Sequence, residues 1–255
     1  MVELKTEAEL AVMRAAGRVV ATALAAVRSK AAVGVSLREL DGIAADVLVA
    51  ADATSSFLNY HPHFAPTPFP AVICASVNDV IVHGIPSTYR LRDGDLVSID
   101  FGACVDGFHG DAAISFTVGN ARPADELLID TTQSALNAGI AAAVVGGRLG
   151  DISHAVGRIG RAGGYGIPDG FGGHGVGRKM HEDPSVPNEG PPGRGLPLRA
   201  GLVLAIEPML LGGGKDPFTT DDDGWALRTA DGSRAAHIEH TVAITANGPV
   251  VLTAL

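Results

Sequence analysis

The chain has 255 residues, 19 basic against 28 acidic for a net charge of −9, and 46% hydrophobic residues. That length allows one large domain or two small ones, and with no linker long enough to separate domains the reading is one globular unit over 1–255; the absence of about 18 consecutive uncharged apolar residues argues against a membrane span. The acidic balance without a basic cluster excludes a phosphate-backbone partner such as nucleic acid, and two cysteines are too few for a disulfide framework, which fits a reducing, cytoplasmic setting.

The first element is a helix opened by a capping box, Thr6 and Glu9, with Met13, Val20, Leu24 and Val27 along one face. Ser36 and Glu39 open a second, with Leu40, Ile43 and Val47 on its apolar side. A proline-laden loop at 61–70 follows, then strand-like AVICAS and DVIVHGI. Residues 98–113, SIDFGACVDGFHGDAA, read as a hairpin about Asp106-Gly107, the strongest short hairpin signal. A helix over 124–145, ended by Gly146-Gly147, and a shorter one in DISHAVGRIGRAG come next. The last third is glycine-rich and strand-like: GFGGHGVG, GLVLAIEPML, GWALRTADG and AAHIEHTVAIT. Helices then hairpin, followed by helices then strands, predict an α/β chain of two similar halves.

A two-residue turn makes paired positions sum to 213, so Asp111 opposes Gly102 and Asp100 lies one diagonal step away on the same face. Gly102 has no side chain, which predicts open space between the two acids. Glu207 in LVLAIEPML and Glu239 in AAHIEHTVAIT likewise interrupt apolar strands. Four acids embedded in three apolar strands point to a shared cation site, because buried carboxylates repel unless something positive sits between them.

Of the nine histidines, His83, His174 and His181 stand out. His83 ends a strand, His174 lies among glycines that would let backbone approach a ligand, and His181 follows in RKMHEDP. His63, His109, His154, His237 and His240 read as structural or surface residues, with His109 on the face of Asp111. An oxygen-rich set with one imidazole suits Mn, Fe or Co better than a thiolate-type zinc site. Two such ions can activate water and polarise a carbonyl, the chemistry of amide hydrolysis.

Taken in order, NDVIVHGIP, LVSIDFG, DGFHGDAA, GGHGVGRKMHEDP, LAIEPM and HIEHTVAIT resemble the type I methionine aminopeptidases over nearly the whole chain. The resemblance implies a pita-bread fold, two α/β halves related by a pseudo-twofold around a dinuclear metal site. It implies Asp100, Asp111, His174, Glu207 and Glu239 as ligands of two divalent ions, with Asp111 and Glu239 bridging and Glu207 also moving the proton of the attacking water. His83 and His181 match the histidines that contact the scissile peptide. Tyr60, His61, Cys74, Met180 and Trp225 match the pocket for the methionine side chain. The implied substrate is a nascent polypeptide or peptide with an N-terminal Met and a small second residue. A monomeric, short bacterial form is expected, with no nucleic-acid or membrane partner. Two departures stand out: four prolines lengthen the loop before Cys74, and Met180 occupies a position often aromatic in the family. The rival readings are a proline-specific aminopeptidase and a pita-bread binding protein without catalysis.

Overall fold

The computed structural model describes residues 2–63 and 65–255. Four helices form where the caps and periodicity place them: α1 Glu7–Lys30, α2 Leu37–Ala50, α3 Pro123–Ala142 and α4 Leu149–Ala162. Both capping boxes are made, Thr6 with Glu9 and Ser36 with Glu39. Helix α2 buries Leu37, Leu40, Ala44 and Leu48, so its inward stripe is rotated from the expected one and leaves Ile43 and Val47 half-buried at its flank. Helix α3 stops three residues short of the expected end. Val144 and Val145 are β-branched and exposed, stiff at χ1 and without packing to hold them helical. By length and composition α1 could cross a membrane, but half of its most apolar window is buried. It packs across the hairpin strands as a core helix.

The hairpin strands Leu96–Val105 and Phe108–Thr117 pair in the expected register, Gly102 opposite Asp111 and Val105 opposite Phe108. Asp106 and Gly107 both take positive φ, 48° and 78°, as the tight turn requires. These strands belong to a nine-stranded sheet that continues through Glu239–Thr245, Val203–Ile206, Gly172–Gly175 and Glu182–Pro187. Ile73–Val77 pairs with the first hairpin strand, and Gly248–Val251 with Glu239–Thr245.

The period of two sorts this sheet into unlike faces. Val97, Ile99, Phe101 and Ala103 join the core under α1 and α2, while Ser98, Asp100 and Gly102 point the other way. Ile99 and Phe101 are fully buried, each contributing about 2 kcal/mol, and their anchoring fixes the direction of Asp100. The second half repeats the device. Ile152 and Val156 of α4 and Leu136 of α3 pack on Leu204, Ile206, Val242 and Ile244. Each half therefore has its own helix-backed core, and the sheet runs unbroken between them.

Candidate metal centre and cavity

Register alone gathers the acids. Cys74 pairs with Asp100, Asp100 with Ala113, and Ala113 with Glu239, one row across four strands. Asp111 is two residues before Ala113 on the same face. His174 pairs with Ala205, which pairs with Thr241, two residues beyond Glu239. The strand expected through LVLAIEPML is broken. It ends at Ile206 and resumes at Met209, which leaves Glu207 at the gap with its carbonyl held by the Asn188 side chain at 2.9 Å. The last expected strand is broken too, between His237 and Glu239.

Gly102 serves otherwise than expected. A Cβ there would lie 2.8 Å from the Ser56 Cβ and 2.9 Å from the Phe57 ring, so this bare position lets residues 56–57 lie against the strand. Phe57 thereby becomes part of the cavity wall. The glycines around His174 also approach backbone rather than ligand. A Cβ at Gly173 would stand 2.1 Å from the Ala205 carbonyl oxygen, and one at Gly175 2.2 Å from that of Asp183. Gly173→Ala is expected to cost about 1–3 kcal/mol and lower Tm by roughly 3–10 °C. A calorimetric melt checks this, and an unchanged Tm would show that the strands have room to spare.

Asp111, Glu207 and Glu239 are buried, and Asp100 half-buried, without counter-charge. Asp111 and Glu239 are 2% and 1% exposed, and Asp100 Oδ1, Asp111 Oδ1 and Glu239 Oε1 have no hydrogen-bond partner. Among the described residues their neighbours at ion-pair distance are imidazoles only. His174 Nε2 lies 3.7 Å from Asp111 and 3.6 Å from Glu207 Oε1, and His237 Nε2 lies 3.3 Å from Glu207 Oε2. Burial pushes Asp111 up to about 7. Burial, and then the charge of Asp111, holds Glu207 and Glu239 well above the usual carboxylate range. Asp100 is raised likewise by burial and by Asp111 beside it. His174 is pushed down to about 4 by burial and is therefore neutral, the form that binds a cation. Orphaned carboxylate oxygens beside a neutral imidazole fit divalent metal ions. Donor atoms of Asp111, His174 and Glu239 lie within 4.8 Å of one another, as do those of Glu207, His237 and Glu239.

This centre closes one end of a cavity of about 310 Å³. The other end is apolar, with Phe57, Tyr60, Phe69, Cys74, Met180 and Trp225 packed together. The proline-laden loop roofs it: the Trp225 indole donates to the Thr67 carbonyl at 3.0 Å, and Phe69 meets Trp225 edge-on. Phe64 of that loop lies outside the described residues. His61 stands apart from the other expected pocket residues. It is exposed, hydrogen-bonded to the Ala65 carbonyl at 3.1 Å, and does not line the cavity.

His83 holds a positive φ of 60°, rare for a residue with a side chain, and its ring lies between Phe171 and Trp225. Burial lowers it to about 4, with nearby His181 acting in the same direction and a Trp225 backbone hydrogen bond opposing. His181 does not sit across an extended segment from His174. The chain folds back so that Gly175 pairs with Glu182, and the two rings meet at 4.1 Å between centroids. The other side of His181 stacks on Tyr60. It belongs to neither cluster of cation-binding groups among the described residues. His109 bonds to Ser56 and lies off the cavity. His237, read from the sequence as structural or surface, is 1% exposed and faces Glu207.

A profile of metallopeptidase family M24 matches residues 11–246. The chain is 55% identical over 262 residues to the methionine aminopeptidase 1 of Mycobacterium tuberculosis, covering 99% of this chain and 95% of that protein. The crystal structure of methionine aminopeptidase from Thermotoga maritima superposes with a TM-score of 0.95 at 37% identity, covering 100% of both chains. Prolidase from Pyrococcus furiosus gives a TM-score of 0.77 at 23% identity over 99% of this chain and 65% of its own, a likeness of fold alone.

Proposed function

Because this chain belongs to metallopeptidase family M24 and has its pita-bread fold, we propose that its cavity removes an N-terminal methionine using two metal ions held by Asp100, Asp111, His174, Glu207 and Glu239. That it is a metallo-aminopeptidase of the methionine aminopeptidase kind follows from its relatives. The observation that carries the residue assignment is the set of buried, unpartnered carboxylate oxygens beside an apolar cavity. Asp111 and Glu239 would contribute to holding both ions, Asp100 to one, and His174 and Glu207 to the other. Mn, Co and Fe suit this donor set. When bound, the ions lower the pKa of a water and polarise the scissile carbonyl.

The chain's own residues do the rest. Phe57, Tyr60, Phe69, Cys74, Met180 and Trp225 take the methionine side chain and exclude water from it. Glu207 holds the proton of the attacking water and passes it to the departing amine. His83 and His181 donate hydrogen bonds at the scissile peptide, where charge develops. The enzyme works as a monomer in the cytoplasm, as one catalytic unit over 1–255, without nucleic-acid or membrane partners.

A large second side chain meets the wall formed by His83 and His181, so Met-Ala and Met-Gly peptides turn over and Met-Leu does not. Comparing the three peptides under one condition, with an Xaa-Pro peptide alongside, tests the reading. Comparable turnover of Met-Leu removes the size limit, and preference for the Xaa-Pro peptide replaces the substrate. His181→Ala is expected to lower kcat by on the order of 10²-fold while metal content stays level, the scale for losing one transition-state donor. A metal ion lost in step with activity would make His181 a ligand instead. A lower Tm with unchanged kcat would make it structural.

A further inference from the structure

Five ligands account for the centre as proposed, and His237 is not among them. Yet it faces the same carboxylates. Its Nε2 stands 3.3 Å from Glu207 Oε2 and 3.8 Å from Glu239 Oε2, while His174 Nε2 stands 3.6 Å from the other Glu207 oxygen. Glu207 thus lies between two imidazoles, one on each oxygen. Both His237 ring nitrogens are buried without a hydrogen-bond partner, which is costly for a polar ring unless something binds it.

Its position is enforced from the backbone. His237 donates its N–H to the Ser115 hydroxyl at 3.1 Å, and its carbonyl accepts from Ser115 at 2.8 Å and Ser98 at 3.2 Å. Both serines lie on the cavity-side face of the hairpin. His237 also pairs with Met209, two residues past Glu207, so the register that carries Glu207 brings the ring to it. Donors sit about 2.0–2.2 Å from such an ion, so neighbouring donors stand ~3 Å apart and opposite ones ~4 Å. The observed 3.3 and 3.8 Å fall between those limits.

We propose that His237 is an additional nitrogen donor to the metal centre, joining the ion held by Glu207 and Glu239 and making this a two-histidine site. The assignment rests on the metal-binding reading above but not on the peptide substrate. A second imidazole shifts preference away from Mn toward Co, Ni and Zn, which bind nitrogen more strongly.

The test is proton NMR of the full-length protein loaded with two equivalents of Co(II). An imidazole bound through Nε2 shows a strongly shifted, exchangeable Nδ1–H signal. The His174 Nδ1 contacts the Gly175 carbonyl at 2.8 Å and the His237 Nδ1 is buried, so both protons exchange slowly enough to be seen. Two such signals are expected, one of them lost in His237→Gln, together with a fall in Co(II) affinity by on the order of 10–100-fold in calorimetric titration. A single signal in the unaltered protein overturns the proposal, as does an unchanged spectrum in the variant. The count in the unaltered protein decides even if the variant fails to fold. Met-Ala-Ser turnover measured on the same sample separates the two readings, because two signals without turnover keep the ligand and fail the substrate.

Discussion

Dialysis against a strong chelator is expected to take turnover of a Met-Ala-Ser peptide to background, and added Mn or Co to restore it. Without ions, Asp111, Glu207 and Glu239 lie buried beside one another, and burial holds all three carboxyls above their usual range. Part of their charge is then neutralised by protons, and nothing activates the water. Metal content measured on each sample must track turnover. Full turnover with negligible metal would remove the ions from the reaction. The same samples give a second readout: ions that bind the folded chain alone raise Tm in proportion to the logarithm of their concentration. An unchanged Tm across a wide range of Mn concentration would place the ions elsewhere.

Glu207→Gln is expected to lower kcat by on the order of 10³-fold, within the range for losing a general base. The substitution keeps shape and one carbonyl oxygen, so the Asn188 contact to the backbone survives, but the amide cannot take a proton. The loss therefore falls on kcat rather than on the fold. Metal stoichiometry and kcat are measured on one preparation. Turnover within tenfold of the unaltered enzyme would take proton transfer away from Glu207 and leave it as a ligand only.

What could be read beforehand depended on how local the determining signal was. The hairpin register was legible because a two-residue turn sets every later pairing, and both acids followed from it. Glu207 and Glu239 betrayed themselves by standing in apolar runs, although both strands break beside them. The open space over Gly102 was misjudged, since residues 56–57, more than forty positions away, occupy it. His181 required knowing that the chain reverses between Gly175 and Glu182, which no spacing reveals. His61 turned outward, hydrogen-bonded to the Ala65 carbonyl within its own loop. His237, one histidine among nine, was read as structural or surface. Its place two residues before Glu239 would put both on one side of an unbroken strand, but the strand breaks at Ile238, and it is the pairing of His237 with Met209 that brings it to Glu207.

The row from Cys74 through Asp100 and Ala113 to Glu239 also decides where this gene can change length. Adding or deleting one residue within any of those strands flips every later side chain in it to the opposite face. Asp100 would then be driven into the packing beneath α1, or Glu239 into that beneath α4, and the centre would vanish in a single step. The loop at 61–70 carries no such parity, because its ends meet the cavity through Tyr60 and Phe69 while its middle runs along the roof. A residue added in that loop would therefore leave the row of acids in place and change only the roof of the cavity, whereas one added between Asp100 and Asp111 would break the register that joins them.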